Sequence, residues 1–150
     1  DVIRVTSAQE MADAVFGQTE DSDIIIKTAA VSDYRPKEQA EQKIKKGADE
    51  KTLDMQKNPD ILKALGARKK NQILVGFAAE TEALEKHAGK KLAEKNLDMI
   101  AGNIVTRPDS GFGTDTNQVT LFHRTEPKSR LLSWKKTRWP IFFWIGLLIA

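Results

Sequence analysis

Two largely apolar runs dominate the pattern of hydrophobic and polar positions. One is Ile24-Ile25-Ile26-Lys27-Thr28-Ala29-Ala30, which leads into Val31-Ser32-Asp33-Tyr34. The other is Ile73-Leu74-Val75-Gly76-Phe77-Ala78-Ala79, which leads into Glu80-Thr81. A short run that is apolar on both faces predicts a fully buried strand of the kind found in parallel sheets. Each run finishes in two alanines and an acid. In open α/β sheets, ligands sit outside the carboxyl ends of the strands. Alanine keeps that end short, either for a ligand approaching the backbone or for a crossing helix. Two such ends in one chain predict neighbouring edges of a single crevice.

The segments around these runs complete an alternating pattern. Val2–Val5 reads as a short strand. Ser7 and Glu10 form a capping box, Met11, Ala14, Val15 and Phe16 give the following helix an apolar face, and Gly17 is placed to end it. Strand, helix and strand at this spacing predict a right-handed crossover in a parallel sheet. Asn58-Pro59-Asp60 marks a second helix start, with Asn58 as cap and Pro59 in the first turn; Ile61, Leu62 and Leu65 form its buried face and Gly66 its end. Such a start can bind phosphate, although a plain cap is the commoner case. Thr81 caps a third helix, with Leu84, Ala88 and Leu92 on one face. Lys91 and Lys95 share a face of that helix, where pairing with its dipole is the simpler reading. Gly89 weakens it. Further strands are expected at Met99–Val105 and Gln118–His123, separated by a polar loop that includes Asp109-Ser110-Gly111-Phe112-Gly113. The fold class is α/β: a Rossmann-like, open, mainly parallel sheet with helices on both faces.

Two segments break the pattern. Arg35–Lys57 has little apolar periodicity and centres on Gln42-Lys43-Ile44-Lys45-Lys46-Gly47. A loop of this length is either a lid over the crevice or a solvated charged segment. Leu53 and Met55, at period two, suggest a short strand returning from it. From Ser129 onward the α/β alternation stops. All three tryptophans fall there, and Trp139–Ala150 is apolar throughout but shorter than the roughly 20 residues that span a bilayer. Residues 1–128 are therefore expected to form the domain and 129–150 an atypical apolar tail foreign to it.

Composition narrows the chemistry. The 150 residues are 40% hydrophobic and 30% charged, sufficient for one domain with a core. With no cysteine there is neither disulfide nor thiolate metal site, and a reducing, cytoplasmic setting fits. His87 and His123 lack ligand spacing and nucleophile context, which argues against a zinc site and a catalytic triad. The net charge of +3 favours anionic ligands but says little about nucleic acid, because Lys and Glu alternate along the chain. No Gly-x-Gly-x-x-Gly turn or P-loop is present. Lysines near a crevice, acids at strand ends and a helix start together suit a phosphorylated ligand.

Five motifs, in order and in register, carry a resemblance: Ala29-Ala30-Val31-Ser32-Asp33-Tyr34, Lys43-Ile44-Lys45-Lys46, Lys57-Asn58-Pro59-Asp60-Ile61, Val75-Gly76-Phe77-Ala78-Ala79-Glu80-Thr81 and Lys95-Asn96-Leu97-Asp98. From Ile3 to Phe122 the chain resembles bacterial phosphopantothenoylcysteine synthetase, also called phosphopantothenate–cysteine ligase. In many bacteria this is the C-terminal half of a bifunctional coenzyme A biosynthesis flavoprotein. The resemblance implies CTP-dependent ligation of 4′-phosphopantothenate with L-cysteine through an acyl-cytidylate, with Mg²⁺ and with CTP as co-substrate. It implies a homodimer acting on small molecules, with no nucleic acid or membrane partner, and places FMN only in an upstream part. It implies a catalytic role for Lys43 on the phosphates and acyl-cytidylate. Nucleotide contacts would come from Lys27, Thr28, Ala29, Asp33, Lys43, Pro59, Asp60, Ile61, Leu62, Phe77, Lys91 and Lys95; metal ligands stay unassigned.

The family's first strand, its glycine-rich turn and an asparagine used on the intermediate have no counterpart here, and the tail replaces its C-terminal helix. The sequence thus reads as a fragment that would bind nucleotide weakly and turn over poorly by itself. Two readings compete with the ligase: a non-enzymatic nucleotide-binding regulatory domain, and a nucleic-acid module motivated only by the basic charge.

Overall fold

Ile73–Glu80 (β4) and Met99–Ile104 (β5) form the centre of the sheet, where both faces of each strand are covered. The computed structural model describes residues 1–38, 40, 42, 52–106, 116–125 and 129–135, with backbone alone for 116–117 and 129–135. In chain order the other elements are α1 (Ala8–Gln18), β1 (Ile24–Lys27), β2 (Tyr34–Pro36), β3 (Met55–Lys57), α2 (Ile61–Arg68), α3 (Leu84–Glu94), β6 (Thr116–His123) and β7 (Ser129–Lys135). The sheet order is β1-β4-β5-β6-β7, and β2 and β3 pair separately as an antiparallel hairpin. β1, β4 and β5 run parallel, with Ile24 opposite Ile73 and Val75 opposite Met99. β6 and β7 are antiparallel additions. The expected Rossmann-like open sheet is present, and Met55 lies in a returning strand, although Leu53, expected with it, lies outside that strand.

The core has two parts. Ala12 of α1, Ile61, Leu62 and Leu65 of α2, and Leu84, Ala88 and Leu92 of α3 pack together with Leu74, Ala78, Leu97, Ile100 and Phe122. The second cluster, Val75, Met99, Ala101, Val119 and Leu121, comes from strands alone. Among the described residues the helices therefore cover one face, not the two expected. α1 sits beside α2, where the Arg68 guanidinium lies 4.2 Å from the centroid of the Phe16 ring.

Several local expectations shift. Val2–Val5 is not a strand, because no backbone ladder pairs with it among the described residues. β1 is shorter than expected and only half-buried; it occupies the sheet edge, and Ile26 is 38% exposed. Ser7 does cap α1, accepting from the Glu10 N–H at 3.1 Å, while the Glu10 carboxylate accepts from the Thr6 N–H at 2.9 Å. Gly17 lies inside that helix, which ends at Thr19. Asp60, not Asn58, caps α2 through the Lys63 N–H at 3.0 Å. Thr81 caps nothing; the residue before α3 is Ala83, and Gly89 does not interrupt the helix. The change expected at Ser129 falls within the sheet, since Ser129–Lys135 pairs with β6; residues 136–150 lie outside the described residues.

Gly66 lies within α2, rather than ending it, for a steric reason. A Cβ there would stand 1.9 Å from the Lys95 carbonyl oxygen. The two helices can meet at this point only through a residue with no side chain. α3 closes against the contact with a Schellman motif: Leu97 N–H donates to the Leu92 carbonyl at 3.0 Å and Asn96 N–H to that of Ala93 at 3.3 Å. Asn96 takes the left-handed conformation at φ 51°, and its Nδ2 donates to the Gly66 carbonyl at 2.8 Å.

Asp98 then ties three strands to α2 at the amino ends of β4 and β5. Its carboxylate accepts from Lys69 Nζ and from the Leu74 N–H, each at 2.7 Å, and faces Arg124 at 3.8 Å. Burial raises its pKa, but the lysine, the backbone N–H and the guanidinium outweigh that and hold it below the ordinary carboxylate value.

Two sets of variants check these contacts. In urea unfolding, Gly66→Ala costs about 1–3 kcal/mol by overpacking, whereas Gly89→Ala, with nothing near its added methyl, gains about 0.5–1 kcal/mol. Asp98→Asn costs about 2 kcal/mol at neutral pH, a buried-pair value reduced for partial exposure. Because the folded-state pKa of Asp98 is depressed, its contribution is complete above the unfolded value and is lost as pH falls through the folded one. The stability gap between wild type and Asp98→Asn therefore narrows below about pH 4.

Candidate nucleotide site

The sheet places a hollow where β1 and β4 end and α2 begins. One wall is the loop after β1: Ala29, Val31, Ser32 and Asp33. The facing wall is the entry to α2: Asn58, Pro59, Asp60, Ile61 and Leu62. Gly76 and Phe77 of β4, with Leu97 and Ile100, form the floor. Lys27, Lys91 and Lys95 converge on it.

Lys91 and Lys95 lie near the far end of α3, yet they reach the hollow. Each Cα–Cβ bond tilts toward the helix N-terminus, which is the crevice end, and each long stem continues in that direction. Carboxylates hold the ammonium groups. Lys95 Nζ stands 3.0 Å from an Asp60 oxygen, and Lys91 Nζ stands 2.6 Å from Glu80, whose other oxygen faces His87 Nδ1 at 2.9 Å. Lys27 Nζ donates to the Ala29 carbonyl at 2.8 Å.

Three lysines and two aspartates thus border the hollow at the N-terminus of α2, a combination that attracts anions. Burial depresses the Lys27 pKa, the Lys95 charge depresses it further, and Asp60 partly restores it. Burial raises the pKa of Asp60, but the Lys63 N–H, Lys95 and Lys27 bring it below the ordinary carboxylate value. Glu80 follows the same balance: burial raises it, and Lys91 and His87 lower it further than burial lifts it.

Of the residues expected in the site, Lys27, Ala29, Asp33, Pro59, Asp60, Ile61, Leu62, Phe77, Lys91 and Lys95 border one hollow. Thr28 does not; it is exposed on the side of β1 that faces α1. Lys43 lies outside the described residues. The second alanine pair is also absent from the hollow: Ala78 packs in the core and Ala79 points outward, because side chains alternate along β4. Glu80 acts on the hollow only through Lys91. Sequence reasoning missed Val31, Ser32, Asn58, Gly76, Leu97 and Ile100. All of these but Ile100 lay within the five motifs, but none carries a charge that would mark it as a phosphate contact.

The family model for the DNA/pantothenate metabolism flavoprotein C-terminal domain matches residues 1–140. The chain belongs to that family. It is 51% identical over 129 residues to the Coenzyme A biosynthesis bifunctional protein CoaBC of Bacillus subtilis (strain 168), covering 86% of this chain and 32% of that protein. It is 44% identical over 124 residues to CoaBC of Escherichia coli (strain K12), covering 80% of this chain and 30% of the relative. The chain thus spans about a third of the length of these relatives. The crystal structure of a CoaBC C-terminal domain superposes with a TM-score of 0.69 at 34% identity, over 98% of this chain and 65% of that one. A Cab2 mutant in complex with phosphopantothenate-cysteine shares the fold at TM-score 0.64 and 15% identity, over 91% of this chain and 47% of the other.

The Lys27 environment in this family member gives a pH test. A lysine with a lowered pKa loses its charge at lower pH than an ordinary lysine. Calorimetric titration with inorganic tripolyphosphate is expected to show affinity falling about tenfold, the value of one charge-assisted hydrogen bond, on the alkaline side but below the usual lysine range. Lys27→Arg moves the fall to higher pH.

Proposed function

We propose that this chain is the ligase part of a coenzyme A biosynthesis protein, joining 4′-phosphopantothenate to L-cysteine at the expense of CTP. The observation that carries the reading is the convergence of Lys27, Lys91 and Lys95 with Asp33, Phe77 and the start of α2 on one hollow at the carboxyl ends of parallel strands. Membership of the family and identity to CoaBC proteins support it.

A carboxylate is a poor electrophile and must be activated. Its oxygen attacks the α-phosphorus of CTP, a P–O bond forms, and pyrophosphate leaves. The cysteine amine then attacks the acyl carbon of the acyl-cytidylate, the amide bond forms, and CMP departs with the electron pair of the broken C–O bond. Lys27, Lys91 and Lys95 hold the phosphates and counter the charge that gathers on them. Phe77 offers a flat apolar surface, and the wall from Ala29 to Asp33 lets the nucleotide approach backbone. Lys43, in the lysine-rich segment between β2 and β3, acts on the phosphates and the acyl-cytidylate.

Mg²⁺ fits as an ion carried on the phosphates. Asp33 brings a carboxylate to the hollow, and no group of three acidic or histidine ligands exists among the described residues. When bound, the ion neutralises phosphate charge. FMN belongs to a part upstream of this chain, and no residue here is assigned to it. Working as a homodimer completes the reading. Among the described residues no helix is long and apolar enough to cross a membrane.

The test uses the full-length protein mixed with CTP, 4′-phosphopantothenate and cysteine. Pyrophosphate release that depends on phosphopantothenate is expected; nucleotide binding without release would replace the ligase with a regulatory domain. Lys43→Gln is expected to accumulate acyl-cytidylate while amide formation falls at least a hundredfold, the scale of losing one positioned charge. Wild-type product yield in that variant would remove Lys43 from the mechanism.

A further inference from the structure

The two walls of the hollow come from segments more than twenty residues apart, and one amide joins them. Asn58 Oδ1 accepts from Arg35 Nη1 at 2.8 Å, and Asn58 Nδ2 donates to the Ser32 carbonyl at 2.7 Å. The Asn58 backbone N–H donates to the Asp33 carbonyl at 2.8 Å. Arg35 Nη1 also donates to the Lys57 carbonyl at 3.2 Å. The amide orientation is forced: a carbonyl oxygen can only accept and a guanidinium can only donate. Asn58 is half-buried, and each end of its side chain already holds a protein partner.

We infer that Asn58 is a positioning residue for nucleotide binding and that Arg35 orients its amide. The inference deepens the ligase reading and rests on it. Ser32 and Asp33 belong to the first wall; Pro59 and Asp60 follow Asn58 directly in the second. The Asn58 bonds set the spacing between them. Arg35, on β2, fixes the base of the β2–β3 hairpin against the same amide. A carboxylate at position 58 would keep the arginine but could not donate to Ser32, so the first wall would lose its side-chain tie and keep only the backbone bond to Asp33. The affected quantity is the fit of the ligand lying between the walls. The chemistry of cysteine attack, which does not depend on that spacing, stays as it is.

The experiment compares wild-type, Asn58→Asp, Arg35→Lys and the double variant in the full-length ligase. It measures KM for CTP, 4′-phosphopantothenate and cysteine, kcat, direct CTP binding by calorimetry, and melting temperature. Asn58→Asp is expected to raise the CTP KM and dissociation constant about tenfold, as for one lost hydrogen bond, with the cysteine KM within twofold of wild type and melting shifted little. Arg35→Lys is expected to give a smaller rise in the same constants. The double variant adds little to Asn58→Asp, because the two residues act through one network.

A lower melting temperature with the CTP constants unchanged would reduce Asn58 to a structural tie and overturn the inference, as would an equal rise in all three KM values. If Asn58→Asp does not fold, Arg35→Lys decides alone: a selective rise in the CTP constants supports the inference, and unchanged constants overturn it. Failure of wild-type protein to bind CTP would instead defeat the ligase reading itself, so the two failures are distinguishable.

Discussion

The four residues Lys95-Asn96-Leu97-Asp98 decide where everything else lies. Asn96 accepts the left-handed conformation that closes α3, and its side chain grips α2 at Gly66. Leu97 turns inward and is wholly buried beside Leu92, the hydrophobic contact that accompanies a Schellman closure. Asp98 fastens Lys69 and the first residues of β4. Lys95 points the other way, along the groove between the helices, and meets Asp60 at the entry to α2. One turn therefore fixes the helix–helix distance, the amino ends of the central strands and one charge in the hollow. The glycine on α2 is the condition for all of it: with a methyl there, backbone and not merely side chain would have to move.

Sheet topology supplies the rest. Parallel strands require crossovers, and each crossover helix starts at the carboxyl end of the strand before it. α2 and α3 consequently begin beside the hollow and run away from it. The Asp60 cap of α2 and the tilted stems of Lys91 and Lys95 at the end of α3 are thereby aimed at the same place. The two antiparallel strands, β6 and β7, extend the sheet on the far side of β5, and none of their described side chains lines the hollow. The second core cluster serves both the site and the sheet: Phe77 of the hollow's floor packs against it, and Val119 and Leu121 of β6 pack there with Met99 and Ala101 of β5.

Much of this could be read in the sequence, for physical reasons that differ by element. The apolar runs of β4 and β5 and the i, i+4 faces of α2 and α3 are direct consequences of burial, so they were predictable. Most residues bordering the hollow were legible because family motifs and strand ends coincide. Misreadings came where one residue type satisfies two local rules. Asn58 and Asp60 are both good caps, and the choice went to Asp60 because Asn58 is held by Arg35 and Ser32. Glycines marked as helix ends proved internal, since Gly66 answers to a neighbouring helix that no local window contains. The pair of twin alanine ends was half right: alternation along a strand buries one alanine and exposes the next, so Gly76 and Phe77 take the place assigned to Ala78 and Ala79.

The charge arrangement also limits how much free positive charge the hollow's own lysines present. Lys95 and Lys91 are not bare cations waiting for phosphate; each already has a carboxylate within 3.0 Å. Binding a polyphosphate to them exchanges an internal ion pair for an external one, and the gain is smaller than the number of lysines implies. What the internal pairs provide is placement. Asp60 and Glu80 hold two flexible stems extended toward the ligand before it arrives, so less side-chain entropy is lost on binding. Lys27, half-buried and anchored to a backbone carbonyl, has no such counter-charge at contact distance among the described residues. A polyanion would offset the burial and, after it, the repulsion from Lys95 that lower its pKa. Under the proposed ligase function, the pre-placed lysines orient the phosphates and Lys27 gains most from their charge.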